Sequence, residues 1–163
     1  MTSPDPAIVQ AVANSPLGRT LSPSQTAALA GLTKLLVHRP HDILAYEGSV
    51  DPRLFCVVDG SLDVVKHLGT PDETVLATLY AGDLAHELGF LDGMPRYASL
   101  VATSPTCVLV LERAALEGLI DSEPRILYAV MCAIVRNVHR VQARLLMQAA
   151  ELTNYVVKQH GRY

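Results

Sequence analysis

Residues 81–102 read AGDLAHELGFLDGMPRYASLVA and contain the features that decide the fold of this chain. The Gly82-Asp83 pair predicts a tight turn, because glycine adopts positive φ without steric cost. Residues 85–91 predict a short helix, which the DGMP sequence at 92–95 ends. Residues 97–102 alternate enough to predict a strand. A turn, a helix start and a strand start therefore lie close together in this stretch.

The same stretch predicts a small pocket for a sugar phosphate. A helix N-terminus gathers free backbone N–H groups, which favour an anion. Arg96 follows nine residues after Glu87, and a planar guanidinium donates hydrogen bonds in pairs, which suits a phosphate. Glu87 lies at the start of the predicted helix, where its carboxylate can accept hydrogen bonds from sugar hydroxyl groups.

This motif resembles the phosphate-binding cassette of cyclic nucleotide-binding domains, which occur in kinase regulatory subunits, gated channels and Crp/Fnr regulators. The family pattern is Gly-Asp-x-x-Gly-Glu-Leu-Ala, a short spacer, then Pro-Arg-Ala-Ala/Ser-Thr-Val. This chain has GDLAHELG at 82–89 and PRYASLV at 95–101. The resemblance implies that Glu87 holds the ribose 2′-hydroxyl and that Arg96 pairs with the cyclic phosphate. It places the remaining cassette contacts at Gly82, His86, Leu88, Tyr97 and Ala98, with His86 where the family has glycine and Tyr97 where it has a small residue.

The composition indicates a folded chain of ordinary size. It has 163 residues, of which 50% are hydrophobic, and a formal net charge of −3, which is not typical of a nucleic-acid-binding surface. Neither a signal peptide nor an apolar run of membrane-spanning length is visible. Cys56, Cys107 and Cys132 are far apart and odd in number, which favours buried thiols over disulfides or a metal cluster. We therefore expect a cytoplasmic protein. Because no nucleophile–base arrangement of the Ser/His/Asp kind is recognisable, we expect that it is not an enzyme.

The remaining sequence predicts a mainly β fold, a jelly roll or double-stranded β-helix with flanking helices. N-terminal helices are expected over 1–35, with Ser3 or Asp5 as the first cap and Leu35 still facing the core from a helix. A β-roll that contains the cassette is expected over 36–112, because about eight short strands alternate with turn signals such as Asp59-Gly60. C-terminal helices follow over 113–163. The family resemblance covers about residues 20–145.

A heptad stripe runs along the long helix predicted over 125–157, and it predicts a homodimer. The stripe residues are Met131, Ile134, Val138, Val141, Leu145 and Leu152. In Crp-type proteins the corresponding helix dimerises and covers the nucleotide base. The resemblance therefore brings Asn137, Arg140, Val141 and Arg144 to the base. Too few residues follow this helix for a helix-turn-helix, so we expect a sensor that signals to an effector protein of unknown identity, with no direct DNA binding and no membrane partner.

The expected function is binding of cAMP or cGMP, with occupancy signalled through the long helix. One alternative is a ligand-independent dimeric interaction module, in which His86 and Tyr97 occlude the pocket. Another is a cupin-like metal enzyme that uses His38, His41, Glu47 and His86. The spacing disfavours a metal site, because residues three apart in an extended chain point to opposite faces. No metal cofactor is therefore expected.

Overall fold

The computed structural model describes residues 4–160, in which two four-stranded antiparallel sheets pack face to face. The sheet orders are β1-β8-β3-β6 and β2-β7-β4-β5. The strands are β1 (Thr33–His38), β2 (Ile43–Ala45), β3 (Arg53–Asp59), β4 (Ser61–Lys66), β5 (Thr74–Tyr80), β6 (Leu84–Ala85), β7 (Ser99–Ala102) and β8 (Thr106–Glu112). The helices are α1 (Pro6–Asn14), α2 (Pro23–Ala30), α3 (Glu87–Asp92), α4 (Arg113–Glu117) and α5 (Pro124–His160). The predicted jelly roll with N-terminal helices and a long C-terminal helix is confirmed.

The N-terminal helices have the caps that their sequences favour. Asp5 Oδ1 accepts a hydrogen bond from the Ala7 amide at 2.8 Å, which caps α1; Ser3, the other predicted cap, lies outside the described residues. Ser22 and Gln25 form a reciprocal capping box at the start of α2. Helix α2 ends at Ala30 and β1 begins at Thr33. The helical prediction over 1–35 therefore extends too far toward the C-terminus, and Leu35 lies in β1.

Strand β3 separates the two halves of the hydrophobic core. Leu54 and Cys56 face the layer formed by the helices, whereas Phe55 and Val57 face the opposite sheet. All four side chains are at most 1% exposed, which is typical of a strand buried on both faces. Strand β3 therefore holds the sandwich and the helical layer together.

The β3–β4 hairpin depends on Gly60. Its φ is +84°, and a Cβ at this position would collide with the Pro105 carbonyl oxygen. Glycine alone avoids both problems, because it has no Cβ and adopts positive φ freely. The Asp59-Gly60 turn predicted from the sequence is therefore present, and β4 continues beside β7 below the cassette.

Helix α5 has 37 residues and changes its environment along its length. Ile126, Val130 and Ile134 are at most 1% exposed and belong to the core between the helices and the first sheet. In contrast, every residue from 141 to 159 is exposed. No helix within the described part of the chain is long and apolar enough to cross a membrane.

Candidate functional site

The cassette, the second sheet and α5 enclose a cavity of about 360 Å³. The cassette provides one end, an apolar strand surface provides the floor, and α5 provides the opposite wall. The lining residues are Val64, Ala77, Leu79, Asp83, Leu84, Ala85, His86, Glu87, Arg96, Tyr97, Ala98, Leu100, Asn137, Arg140, Val141 and Arg144. Residues that are far apart in sequence and were predicted to meet at a ligand therefore share one cavity.

His86 is the N-cap of α3 and has a left-handed conformation, with φ 65° and ψ 28°. Glycine adopts this conformation at much lower cost than other residues, which explains why glycine suits this position. The His86 ring packs onto Gly89, where a Cβ would collide with it. Burial, reinforced by the charge of Arg96, lowers the pKa of His86 below its usual value. Its Nε2 atom is buried, and it has no hydrogen-bond partner among residues 4–160.

Arg96 is buried at the cassette end of the cavity and is 3% exposed. Its Nη2 atom lies 3.1 Å from Asp51 Oδ2 and donates to the Arg53 carbonyl oxygen at 3.3 Å. Its guanidinium lies 5.0 Å from the centre of the Phe55 ring. Burial lowers the pKa of Arg96, and the carboxylate of Asp51 acts in the opposite direction. The Nε atom is buried without a partner in the described part of the chain, although buried polar groups are nearly always paired.

Asp51 is the important site residue that sequence reasoning missed. Its carboxylate accepts from Arg53 at 2.6 Å while it also pairs with Arg96, and it is 10% exposed. Burial acts to raise the pKa of Asp51, but the Arg53 hydrogen bond and the charges of both arginines outweigh it and hold the pKa below its usual value. Asp51 therefore stays ionised and holds Arg96 in place. Nothing in the sequence linked Asp51 to an arginine 45 positions later.

A chain of polar contacts connects the cassette to α5. Asn137 is 6% exposed, and its Nδ2 donates to Glu87 Oε1 at 3.0 Å. Arg140 donates to Asn137 Oδ1 at 2.7 Å and to Asp83 Oδ1 at 3.0 Å. We call these four residues the cassette–helix latch. They link the turn before β6, the first residue of α3 and two successive turns of α5.

Tyr97 lies at the mouth of the cavity and not in the core. It is 72% exposed, and Lys66 Nζ lies 4.2 Å from the centre of its ring. Lys66 also pairs with Glu47, which holds the ammonium group beside the ring. Tyr97 therefore borders the cavity without filling it.

This geometry agrees with the comparison of the chain with known families. The model of the family described as "Cyclic nucleotide-binding domain" matches residues 35–123, more than half of the chain. This chain belongs to the cyclic nucleotide-binding domain family. The Cyclic AMP receptor protein of Thermus thermophilus is 28% identical over 144 residues, which cover 87% of this chain and 66% of that relative. The chain thus spans just under two thirds of the relative's length.

Solved structures show the same fold. A cyclic nucleotide-binding domain from Methylobacillus flagellatus superimposes with a TM-score of 0.78 at 22% identity, covering 94% of this chain and 86% of that one. The regulatory subunit of a cAMP-independent protein kinase A from Trypanosoma brucei gives 0.66 at 24% identity, covering 84% and 50%. At this level of identity the likeness supports the fold alone.

Two cassette residues of this cyclic nucleotide-binding domain lie away from the cavity. Leu88 is 55% exposed and does not line it. Gly82 borders two smaller pockets beside the N-terminal segment instead. Gly82 lies in the turn before β6 and Leu88 lies on α3, and these two elements direct only part of the motif toward the cavity. The apolar floor, formed by Val64, Ala77, Leu79 and Leu100, was not predicted, because alternation in a strand does not show which face meets a ligand.

The cupin-like metal site is not formed. His38 lies near Asp42, with 3.8 Å between Nδ1 and Oδ2, and Glu47 binds Lys66 and the His67 amide. His86 lines the cavity between the cassette and α5 instead. No group of three or more metal-ligating side chains comes together within residues 4–159.

The predicted dimer stripe divides between two environments. Ile134 is 1% exposed and packs in the core of its own chain, so it is not accessible to a partner. Met131 and Val138 are partly buried. Val141, Leu145 and Leu152 are 39%, 59% and 65% exposed. The stripe therefore serves the domain core at its start and is open to a partner at its end.

Proposed function

We propose that this domain binds a cyclic nucleotide as a regulatory ligand and does not transform it. The observation that supports this function is the buried Arg96 guanidinium, which lines a cavity of about 360 Å³ together with Glu87 and α5. Its Nε atom is without a partner among the described residues, which suits an incoming anion. The cavity, at about 360 Å³, lies toward the lower end of the size range of small-ligand sites, about 300–1,000 Å³.

Each part of a cyclic nucleotide has a suitable surface in the cavity. Arg96 binds the phosphate, and Asp51 keeps its guanidinium in place from behind. Glu87 uses one carboxylate oxygen for Asn137, which leaves the other for a ribose hydroxyl. The base lies against the apolar floor, with its edge toward α5. In the free domain, the lowered pKa of His86 keeps the ring beside Arg96 neutral at neutral pH.

Signalling then follows from the cassette–helix latch. A ribose bound to the free oxygen of Glu87 repositions the carboxylate that Asn137 contacts, and a phosphate bound to Arg96 moves the cassette that carries both Glu87 and Asp83. Either change alters how α5 is held, because Asn137 and Arg140 are its polar contacts with the cassette. The ligand therefore shifts the population of α5 positions, and coupling of this kind typically amounts to about 1–3 kcal/mol.

The distal part of α5 is proposed to pair with a second copy of this chain. Its exposed Leu145 and Leu152 are seven residues apart, which is the spacing of a coiled-coil seam. The net charge of −3 favours output to an effector protein over direct contact with DNA. Light scattering at micromolar concentration tests the dimer, and a monomer would contradict it.

Isothermal titration with cAMP and with cGMP tests the binding function. Arg96→Lys keeps the charge but loses the guanidinium fork, so affinity should fall about tenfold or more. Arg113→Lys is the matched control, because Arg113 pairs with Glu117 outside the cavity. A folded wild-type domain that gives no heat with either nucleotide would contradict the proposal, as would an Arg96→Lys variant that keeps full affinity.

A second candidate function has one observation in its favour. Arg96 and Glu87, the two expected ligand contacts, already have protein partners in Asp51 and Asn137. Because these side chains are already paired within the protein, the site does not require a ligand, as expected for a ligand-independent dimeric interaction module. A stable dimer that binds neither nucleotide would support this function over the first.

A further inference from the structure

Near α5, the hydrogen-bond acceptors of Asp83 and Asn137 that line the cavity already have protein partners, whereas several donors in the described part of the chain do not. Asp83 accepts from Arg140 through Oδ1 at 3.0 Å and from the Tyr80 amide through Oδ2 at 2.9 Å. Asn137 Oδ1 accepts from Arg140 at 2.7 Å. These three oxygens therefore each already accept a hydrogen bond within the protein.

The donors on the same side remain available. Arg144 lines the cavity one helical turn beyond Arg140, and no carboxylate within residues 4–160 pairs with its guanidinium. Arg140 is 51% exposed and has N–H groups beyond the two contacts that it makes in the latch. A guanidinium has five N–H donors and no acceptor. The wall that faces the base edge is thus a donor surface.

We propose that Arg144 makes this domain selective for a 6-oxopurine cyclic nucleotide over a 6-aminopurine one. Guanine and hypoxanthine present two adjacent acceptors, O6 and N7, which a guanidinium fork binds together. Adenine places an N–H donor at the same position, opposite another donor. This inference rests on the proposed function, and it concerns only the base that the cavity prefers.

The other surfaces of the cavity do not distinguish the two bases. Val64, Ala77, Leu79 and Leu100 contact the ring face through apolar groups, which accept any purine. Arg96 and Glu87 contact the sugar phosphate, which is common to all cyclic nucleotides. Selectivity therefore depends on the base edge and on α5. A bidentate contact at a partly exposed site corresponds to a preference of about tenfold.

The experiment compares the affinities of cGMP, cIMP and cAMP by isothermal titration. cIMP keeps O6 and N7 but lacks the 2-amino group of guanine, so it isolates the edge that Arg144 is proposed to contact. Arg144→Gln is the test variant, because a glutamine amide offers an acceptor as well as a donor and pairs well with adenine N6 and N7. Arg136→Gln is the matched control, since Arg136 is exposed on α5 but does not line this cavity.

We expect the wild-type domain to bind cGMP and cIMP about tenfold more tightly than cAMP. Arg144→Gln should remove this preference, and Arg136→Gln should keep it. Equal or tighter binding of cAMP by the wild type would overturn the inference alone. A preference for cGMP that cIMP does not share, or one that survives in Arg144→Gln, would also overturn it. Absence of binding to all three nucleotides would instead overturn the proposed function itself, and the inference with it.

Discussion

Replacing His86 by glycine and, in parallel, by alanine separates the cost of its backbone conformation from the effect of its ring. His86 has φ 65°, and a non-glycine residue held in this left-handed region costs about 1–3 kcal/mol. Glycine removes this cost but gives the unfolded chain more freedom, which offsets about 0.4–1 kcal/mol. Alanine keeps the strain and removes only the imidazole.

We therefore expect His86→Gly to be more stable than His86→Ala by about 1 kcal/mol, the difference between these two effects. For a chain of this length, this corresponds to a difference in Tm of about 2–4 °C. Urea unfolding followed by circular dichroism measures the free energy directly, and an unchanged m-value shows that the unfolded states are comparable. Equal stability of the two variants, or a more stable alanine variant, would refute the assignment of strain to position 86.

Two further predictions concern the core and the pocket. Ile134→Ala should lower the free energy of unfolding by about 2–5 kcal/mol, because the side chain is buried. Leu152→Ala should change only the monomer–dimer equilibrium. Urea unfolding measures the first effect and light scattering the second, and a small loss of unfolding free energy in Ile134→Ala would contradict its place in the core. Nucleotide binding should be accompanied by proton uptake near neutral pH, because the pKa of His86 is lowered in the free domain and a neighbouring phosphate raises it. Affinity should then rise as the pH falls, titration in buffers of different ionisation enthalpy measures the protons, and uptake that persists in His86→Ala would show that another group is responsible.

The sequence was sufficient where local patterns determine the structure. The turn at Asp59-Gly60, the cap at Asp5 and the alternation of short strands with turns depend on neighbouring residues, so the sequence could predict them. The cassette motif is equally local. Its match therefore identified His86, Glu87, Arg96, Tyr97 and Ala98, all of which line the cavity.

The remaining features depend on tertiary packing, which local patterns do not show. Asp51 meets Arg96 only because the loop before β3 folds beneath the cassette. The heptad stripe indicated one interface on α5, but Ile134 packs into its own domain, since helix–sheet packing and helix–helix packing both require an apolar stripe. Leu35 followed a helical spacing, and the strand that contains it pairs with β8. Tertiary context decided each of these cases.

The length of α5 beyond the latch makes this helix a lever arm. From Asn137 to Gln159 it extends about 33 Å at the usual rise per residue, and a tilt of about 10° at the latch would displace its tip by about 6 Å. The latch atoms themselves would move much less over the same tilt. A partner that contacts the tip would therefore meet a larger displacement than the one that occurs at Glu87. Shortening the helix would reduce the displacement of its tip in proportion to the residues removed.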